Sequence, residues 1–226
     1  MKTIYFVRHG ESQSNVMRVF TSSPGGFPLT ERGKEQAKRT SEFFLGLRDV
    51  AFFSSNIIRA IQTAEIIAEP HGKKVVQVED FAELDTGCLE GKKNSEETDG
   101  YYQHILQQWI EGRSEVSFDG GENHLTALER TKRGIGEVIS SDNNGVSVIV
   151  SHGGIMTMTI PFLCGNVDPE TFYSDGKNRF IDNCAICELR MNGNNPGLSL
   201  EMVSWARTDH LPGDLKYAIY RKKKEI

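Results

Sequence analysis

The chain has 226 residues, 38% of them hydrophobic, with a net charge of −5. That length can bury a sizeable core in one or at most two domains, and the acidic balance argues against a nucleic-acid-binding surface. No apolar run approaches the roughly 18 residues of a membrane span, and Arg8 interrupts the N-terminal apolar stretch, so a cytoplasmic protein without membrane contact is the default expectation.

Residues 3–7, TIYFV, are a short apolar run bounded by polar residues and read as a buried strand. Thr30 is placed to cap a helix running to about residue 47, with Ala37, Phe44 and Leu47 on one face. Residues 50–53 form a second apolar run, followed by Ser54 and Ser55. Asn56 opens a helix whose apolar stripe is Ile57, Ala60, Ile61, Ala64, Ile67 and Ala68, and Pro70 and Gly72 stop it. A third strand is predicted over 74–78, and helices over 101–111 and 122–141, the latter with Leu125, Leu128, Ile135 and Val138 inward. VSVIV at 146–150 is a fourth strand, and a helix from about 154 to 163 follows it. Strand-like segments at 184–189 and 198–203 close the core, and the basic residues at 221–224 read as a solvated end.

Strands alternating with helices imply a three-layer α/β/α fold around a mostly parallel sheet. No repeat or linker divides the chain. A single domain over 1–226 is expected, with a cap-like insertion around 91–121, where the sequence turns polar and acidic. Four cysteines, Cys88, Cys164, Cys184 and Cys187, are too few and too scattered for a disulfide framework. Cys184 and Cys187 have the spacing of a metal knuckle. They fall in a predicted strand, however, where residues three apart face opposite ways, and no second pair lies nearby, so free thiols are expected.

In open α/β sheets, ligands bind beyond the carboxyl ends of the strands. Arg8 and His9 follow the first strand, and Ser151, His152 and Gly153 follow the fourth. Arg59 lies near the start of the helix after the second, and Glu83 a few residues past the third. Singly, Arg59 reads equally as a surface residue and His152 as a core histidine. Four strand ends delivering such residues to one edge is a poor fit to accident. The types suit a phosphoryl group: guanidiniums grip its oxygens, and a neutral imidazole can attack phosphorus. A second, protonated imidazole can stabilise the equatorial oxygens, and a carboxylic acid can protonate the leaving alkoxide. There is neither an acidic cluster suited to Mg²⁺ nor a P-loop, so no metal or cofactor is expected.

These residues carry a family resemblance. The run Val7-Arg8-His9-Gly10-Glu11-Ser12, with Asn15, resembles the Arg-His-Gly-Glu signature of the histidine phosphatase superfamily, in the branch holding the cofactor-dependent phosphoglycerate mutases. Pro28-Leu29-Thr30 with Gly33 and Gln36-Ala37, and Ser54-Ser55 through Arg59 to Ala64, are similar to its next segments. So are Glu83-Leu84 with Leu89-Glu90-Gly91, then Gly120-Gly121-Glu122, then Val150-Ser151-His152-Gly153-Gly154. The resemblance implies that His9 is phosphorylated and that Arg8, Arg59 and His152 surround the phosphate. Asn15 and the backbone at Gly153 would help to bind it, and Glu83 would be the general acid and base. Asp80, Asp85 and Glu90 lie close to Glu83, and Asp85 is the alternative acid. Glu11 and Glu122 are expected to orient arginines or histidines, or to cap backbone. Asn123 stands where many relatives carry Ser.

Gly153-Gly154 is similar to phosphatase members, whereas the mutases typically have Gly-Asn there, and the mutases' Arg-His-Tyr-Gly run after the acid is missing. The expectation is therefore a phosphomonoesterase acting on a small phosphorylated metabolite. The alternatives are a cofactor-dependent phosphoglycerate mutase and a non-catalytic phospho-ligand-binding protein. Arg18, Lys92, Lys93, Tyr101, Tyr102, Trp109 and His124 are expected to be solvated or packed in the cap rather than to line the pocket. The last strands leave room for a homodimer.

Overall fold

A computed structural model describes residues 2–141, 145–174, 176, 178, 180–191 and 200–216. Its sheet has six strands: β1 (Lys2–Arg8), β2 (Val50–Ser54), β3 (Val75–Gln77), β4 (Val146–Ser151), β5 (Ile186–Met191) and β6 (Leu200–Arg207). Their spatial order is β3-β2-β4-β1-β5-β6. The first four in that order run parallel, β5 runs antiparallel to β1, and β6 antiparallel to β5. The helices are α1 (Gln13–Met17), α2 (Glu31–Phe44), α3 (Ile58–Ala68), α4 (Glu96–Ile110), α5 (His124–Ser141), α6 (Gly153–Leu163), α7 (Pro169–Tyr173) and α8 (Gly213–Lys216).

Side chains alternate across each strand, and the two faces are apolar in turn. Ile4, Phe6, Phe53 and Ile149 pack with Ile135 and Val138 of α5 and with Met156 and Ile160 of α6. Val7, Phe52, Val148 and Val150 pack with Phe44 of α2 and with Ala60, Ala64 and Ile67 of α3. Helices thus cover both faces of a mostly parallel sheet, the three layers that the alternation implies. In the 91–121 segment, Ile105, Leu106 and Trp109 of α4 share a third cluster with Phe118, Leu84, Leu89 and residues of α5 and α6.

Several boundaries differ from the predicted ones. Thr30 does cap α2, accepting from the Gly33 N–H at 3.0 Å, but the helix stops at Phe44 rather than near residue 47. Helix α4 starts a turn and a half before residue 101. There Ser95 and Thr98 form a reciprocal capping box, with Ser95 N–H donating to Thr98 Oγ1 at 2.8 Å. Cys184 lies outside β5: it has φ +57, a left-handed turn, and its N–H donates to the Arg8 carbonyl at 3.0 Å. Cys184, Cys187 and Cys164 are buried free thiols, and burial pushes each up to about 12. The short helices α1 and α7 carry too few residues to show a period. The 198–199 start of the last predicted strand and the basic 221–224 tail lie outside the described residues. Among the described residues, no helix is long and apolar enough to cross a membrane.

Candidate active site

Strand register builds the site. β1 and β4 are neighbours, with Arg8 opposite Ser151, and the pairing continues as His9 N–H donates to the Ser151 carbonyl at 2.9 Å. The next residues on the two strands, His9 and His152, therefore emerge side by side, with ring centroids 5.1 Å apart. On the other flank of β4, Ser55 N–H donates to the Val150 carbonyl at 3.0 Å, which starts the turn into α3 at the same sheet edge. Arg59, in the first turn of α3, then reaches back over His9.

A carbonyl can only accept, so the 2.7 Å contact between His9 Nδ1 and the Gly10 carbonyl places the proton on Nδ1. Nε2 is then the acceptor, and Arg59 Nε–H donates to it at 3.1 Å. Burial, with the Arg59 and Arg8 guanidiniums beside it, holds the His9 imidazole well below the usual histidine range. The ring is neutral at neutral pH, the state a nucleophile needs. His152 is depressed in the same way, by burial first and then by Arg59, His9, Arg8 and Arg130. A protonated second imidazole is therefore not what the protein's own charges favour, because cations already surround it. His152 Nε2 lies 2.7 Å from Ser55 Oγ.

Arg59 is pulled down to about 10 by burial and stays charged at neutral pH. Its Nη2 donates to the Thr21 carbonyl at 2.9 Å, and Arg8 Nη1 donates to the Ile181 carbonyl. Three buried nitrogens of this cluster, Arg8 Nε, Arg59 Nη1 and His152 Nδ1, have no hydrogen-bond partner among the described residues. An unpaired buried donor costs about 1–3 kcal/mol, so the two guanidinium N–H groups left unpaired beside two histidines fit an anion.

Glu83 completes the ring. Its Oε1 accepts from the backbone N–H of Ile155 at 2.8 Å and of Leu84 at 2.9 Å, and its Oε2 from Gly154 N–H at 3.1 Å. The carboxylate is thus seated at the N-terminus of α6, one turn from His152. The other acids of this stretch are engaged elsewhere. Asp85 is exposed and accepts from Gly87 N–H, Asp80 pairs with Arg133, and Glu90 accepts from Thr21, Ser22 and Ser23. Both glycines after His152 have steric reasons. A Cβ at Gly153 would stand 3.2 Å from Arg8 Nε. One at Gly154 would stand 2.7 Å from Glu83 Oε1 and 2.8 Å from the Tyr102 hydroxyl.

Asn15 is joined to His9 through Asn183, and its Oδ1 serves the fold, accepting from Ser12 N–H and from Asn183 Nδ2, each at 3.1 Å. Glu11 accepts from Arg32 and Thr30, and Glu122 accepts from Arg130 and from Asp85 N–H. Asn123 Oδ1 accepts from Thr126 N–H at the start of α5. Gly25 and Gly26 form an open turn, with φ +85 at Gly26. Trp109 and His124 stack inside the third apolar cluster, while Lys92 and Lys93 are exposed. Tyr102 is both packed and placed at the site. Its ring stacks on Phe118 and meets Phe20, its hydroxyl lies on the Glu83 side of Gly154, and burial followed by the Glu83 charge raises its pKa.

Sequence reasoning missed two residues here. Asn183 is buried and donates from Nδ2 to the His9 carbonyl at 3.1 Å, and Arg130 grips the backbone around Glu83. Neither carries a local signal: one sits in the turn before β5 and the other inside a long helix.

This is a three-layer α/β fold in which the ends of two central strands and the first turn of α3 bring two histidines and two arginines together at one sheet edge. Residues 4–202 match the histidine phosphatase superfamily (branch 1), and the chain belongs to that family. The 2,3-bisphosphoglycerate-dependent phosphoglycerate mutase of Thermoplasma acidophilum is 30% identical over 179 residues, 79% of this chain and 84% of that protein. Among solved structures, the fold resembles mycobacterial glucosyl-3-phosphoglycerate phosphatase Rv2419c (TM-score 0.75, 20% identity, 92% of this chain and 100% of that one). It also resembles the alpha-ribazole phosphatase of Shigella flexneri (TM-score 0.70, 20% identity, 91% and 96%).

Proposed function

We propose that this protein is a phosphomonoesterase acting on a small phosphorylated metabolite, without a metal, through a phosphohistidine at His9. The observation that carries the reading is the neutral His9 ring, its Nε2 held by the Arg59 Nε–H at 3.1 Å, in a buried cluster that also holds the unpartnered nitrogens of Arg8, Arg59 and His152. In the first half-reaction Nε2 attacks phosphorus, the P–O bond to the leaving group breaks, and protonated Glu83 gives its proton to that oxygen. In the second, the Glu83 carboxylate takes a proton from water. The water oxygen attacks phosphorus, the P–N bond breaks, and inorganic phosphate leaves with His9 neutral again. Arg8, Arg59 and His152 bind the phosphoryl oxygens throughout, with Asn15 and the backbone of Gly153 at the rim.

A second reading has its own support, because the relative at 30% identity is named a mutase. A mutase would return the phosphoryl group to a reoriented substrate instead of water. Against it, Gly154 leaves Glu83 and Tyr102 the space they occupy, and the chain lacks the mutases' Arg-His-Tyr-Gly run. The test is to incubate the protein with 3-phosphoglycerate, with and without 2,3-bisphosphoglycerate, beside a panel of phosphorylated metabolites. Phosphate release from one of the panel exceeding 3-phosphoglycerate interconversion supports the hydrolase. Interconversion outrunning release supports the mutase.

A further inference from the structure

The backbone that carries Glu83 is held by a device that strand ends alone do not supply. Arg130, on α5, donates from Nη1 to the carbonyls of Asp80 and Ala82, both at 2.8 Å, and from Nη2 to that of Glu83 at 3.3 Å. Its guanidinium is itself gripped by Glu122, from Nε to Oε2 at 2.9 Å and from Nη2 to Oε1 at 2.7 Å. Oε1 of Glu122 also accepts from Asp85 N–H at 2.9 Å, and Glu122 N–H donates to the Asp85 carbonyl at 3.0 Å. The one carbonyl between those Arg130 takes, that of Phe81, accepts from Ser151 Oγ at 2.8 Å, and Ser151 directly precedes His152. Each backbone oxygen from Asp80 to Glu83 is therefore fixed by a side chain.

The approach needed for this grip is built into α5. At Gly134 a Cβ would stand 2.9 Å from both Asp80 Cβ and Phe81 Cε1. Glycine there lets the helix come down onto the loop, one turn from Arg130. A guanidinium that spends its donors on three carbonyls and a bidentate carboxylate holds geometry and contributes little to phosphate binding.

We propose that Arg130, clamped by Glu122, is the positioning residue that aims the Glu83 carboxyl at the leaving-group oxygen. The inference rests on the reading of Glu83 as the general acid. Its consequence is selective. An ester with a poor leaving group needs a well-aimed acid, whereas a nitrophenyl phosphate, which leaves as a weak base, hardly needs one.

The test compares kcat/KM for p-nitrophenyl phosphate and for an alkyl phosphate such as glycerol phosphate. The comparison is made in the wild type, in R130K, which keeps the charge and loses the fork, and in the isosteric E122Q. The ratio of the two rates is taken on one sample, so a partly unfolded variant does not distort it. R130K and E122Q are expected to raise the nitrophenyl-to-alkyl ratio at least tenfold, as E83Q does. Adding R130K to E83Q is expected to raise it no further, since both act through one group. If E83Q raises the ratio while R130K and E122Q slow both substrates equally, Arg130 is only scaffolding and the proposal is overturned. If E83Q itself leaves the ratio at the wild-type value, Glu83 is not the acid, and the reading beneath the proposal falls with it.

Discussion

Gly154 and Glu83 are fitted to one another: the glycine N–H donates to Oε2 at 3.1 Å, and a Cβ on that glycine would stand 2.7 Å from Oε1. The same Cβ would meet the Tyr102 hydroxyl at 2.8 Å. Both neighbours are the far ends of side chains rather than backbone, so the fold can yield by moving them, at the cost of the hydrogen bonds that seat Glu83. G154A is therefore expected to keep its melting temperature within a few degrees while losing about 100-fold in kcat/KM on alkyl phosphates, the cost of a misplaced catalytic group. G33A should behave in the opposite manner. There a Cβ would stand 2.0 Å from the Glu11 carbonyl, which is backbone and cannot swing aside. Overpacking of that kind costs up to about 3 kcal/mol. Thermal unfolding and steady-state rates on the two variants check the pair, and a G154A enzyme of full activity would count against the placement of Glu83.

Arg59 should govern anion binding. An anion that binds the folded state alone, at 100 times its dissociation constant, would stabilise it by about 2.7 kcal/mol. The wild type is expected to melt at rising temperature as phosphate is added, saturably, whereas sodium chloride at equal ionic strength has little effect. R59M, without the Nε–H over His9 and the unpartnered Nη1, is expected to lose most of that response. A phosphate-induced shift unchanged in R59M would place the anion elsewhere.

Acid stability follows from the buried imidazoles. His9, His152 and His124 are depressed by burial, and His210 is lowered to about 4. Unfolded, each returns to about 6.5. Below that pH the unfolded chain binds more protons than the folded one, so the stability these groups contribute is complete above about 6.5 and is lost as pH falls. For His210 the loss runs down to about pH 4. Urea midpoints are expected to drop steadily from pH 7.5 to pH 5, and a constant midpoint would contradict the buried neutral histidines. By the same shift, the acid limb of kcat/KM set by His9 is expected well below pH 6.5.

What could be seen in the chain beforehand was what is local. The runs TIYFV and VSVIV announce strands, and the residues that follow them, Arg8-His9 and His152-Gly153, announce the edge where a ligand binds. Adjacency of β1 and β4, which sets the two rings 5.1 Å apart, is a consequence of topology that parallel strand ends already suggest. The direction of β5 is not in its periodicity, since a strand alternates identically either way. Arg130 sits 47 residues beyond the Glu83 carbonyl it holds, and Asn183 lies 174 residues from His9. Such contacts are made by the fold and leave no spacing in the sequence. Tyr102 packs in the cap as an aromatic on that helix is expected to, and what the sequence does not show is that its hydroxyl lies on the Glu83 side of Gly154.

The most direct measurement is to mix the protein with a rapidly hydrolysed phosphomonoester, quench in alkali within the first turnovers, and map the phosphoryl group by peptide mass spectrometry. Phosphohistidine survives alkali and is lost in acid, so a parallel acid quench that removes the label identifies it. An acid-labile phosphoryl group is expected on His9 and on no other histidine, together with loss of both label and phosphate release in H9A. Turnover by H9A at the wild-type rate, or label confined to His152, would contradict a phosphohistidine at His9.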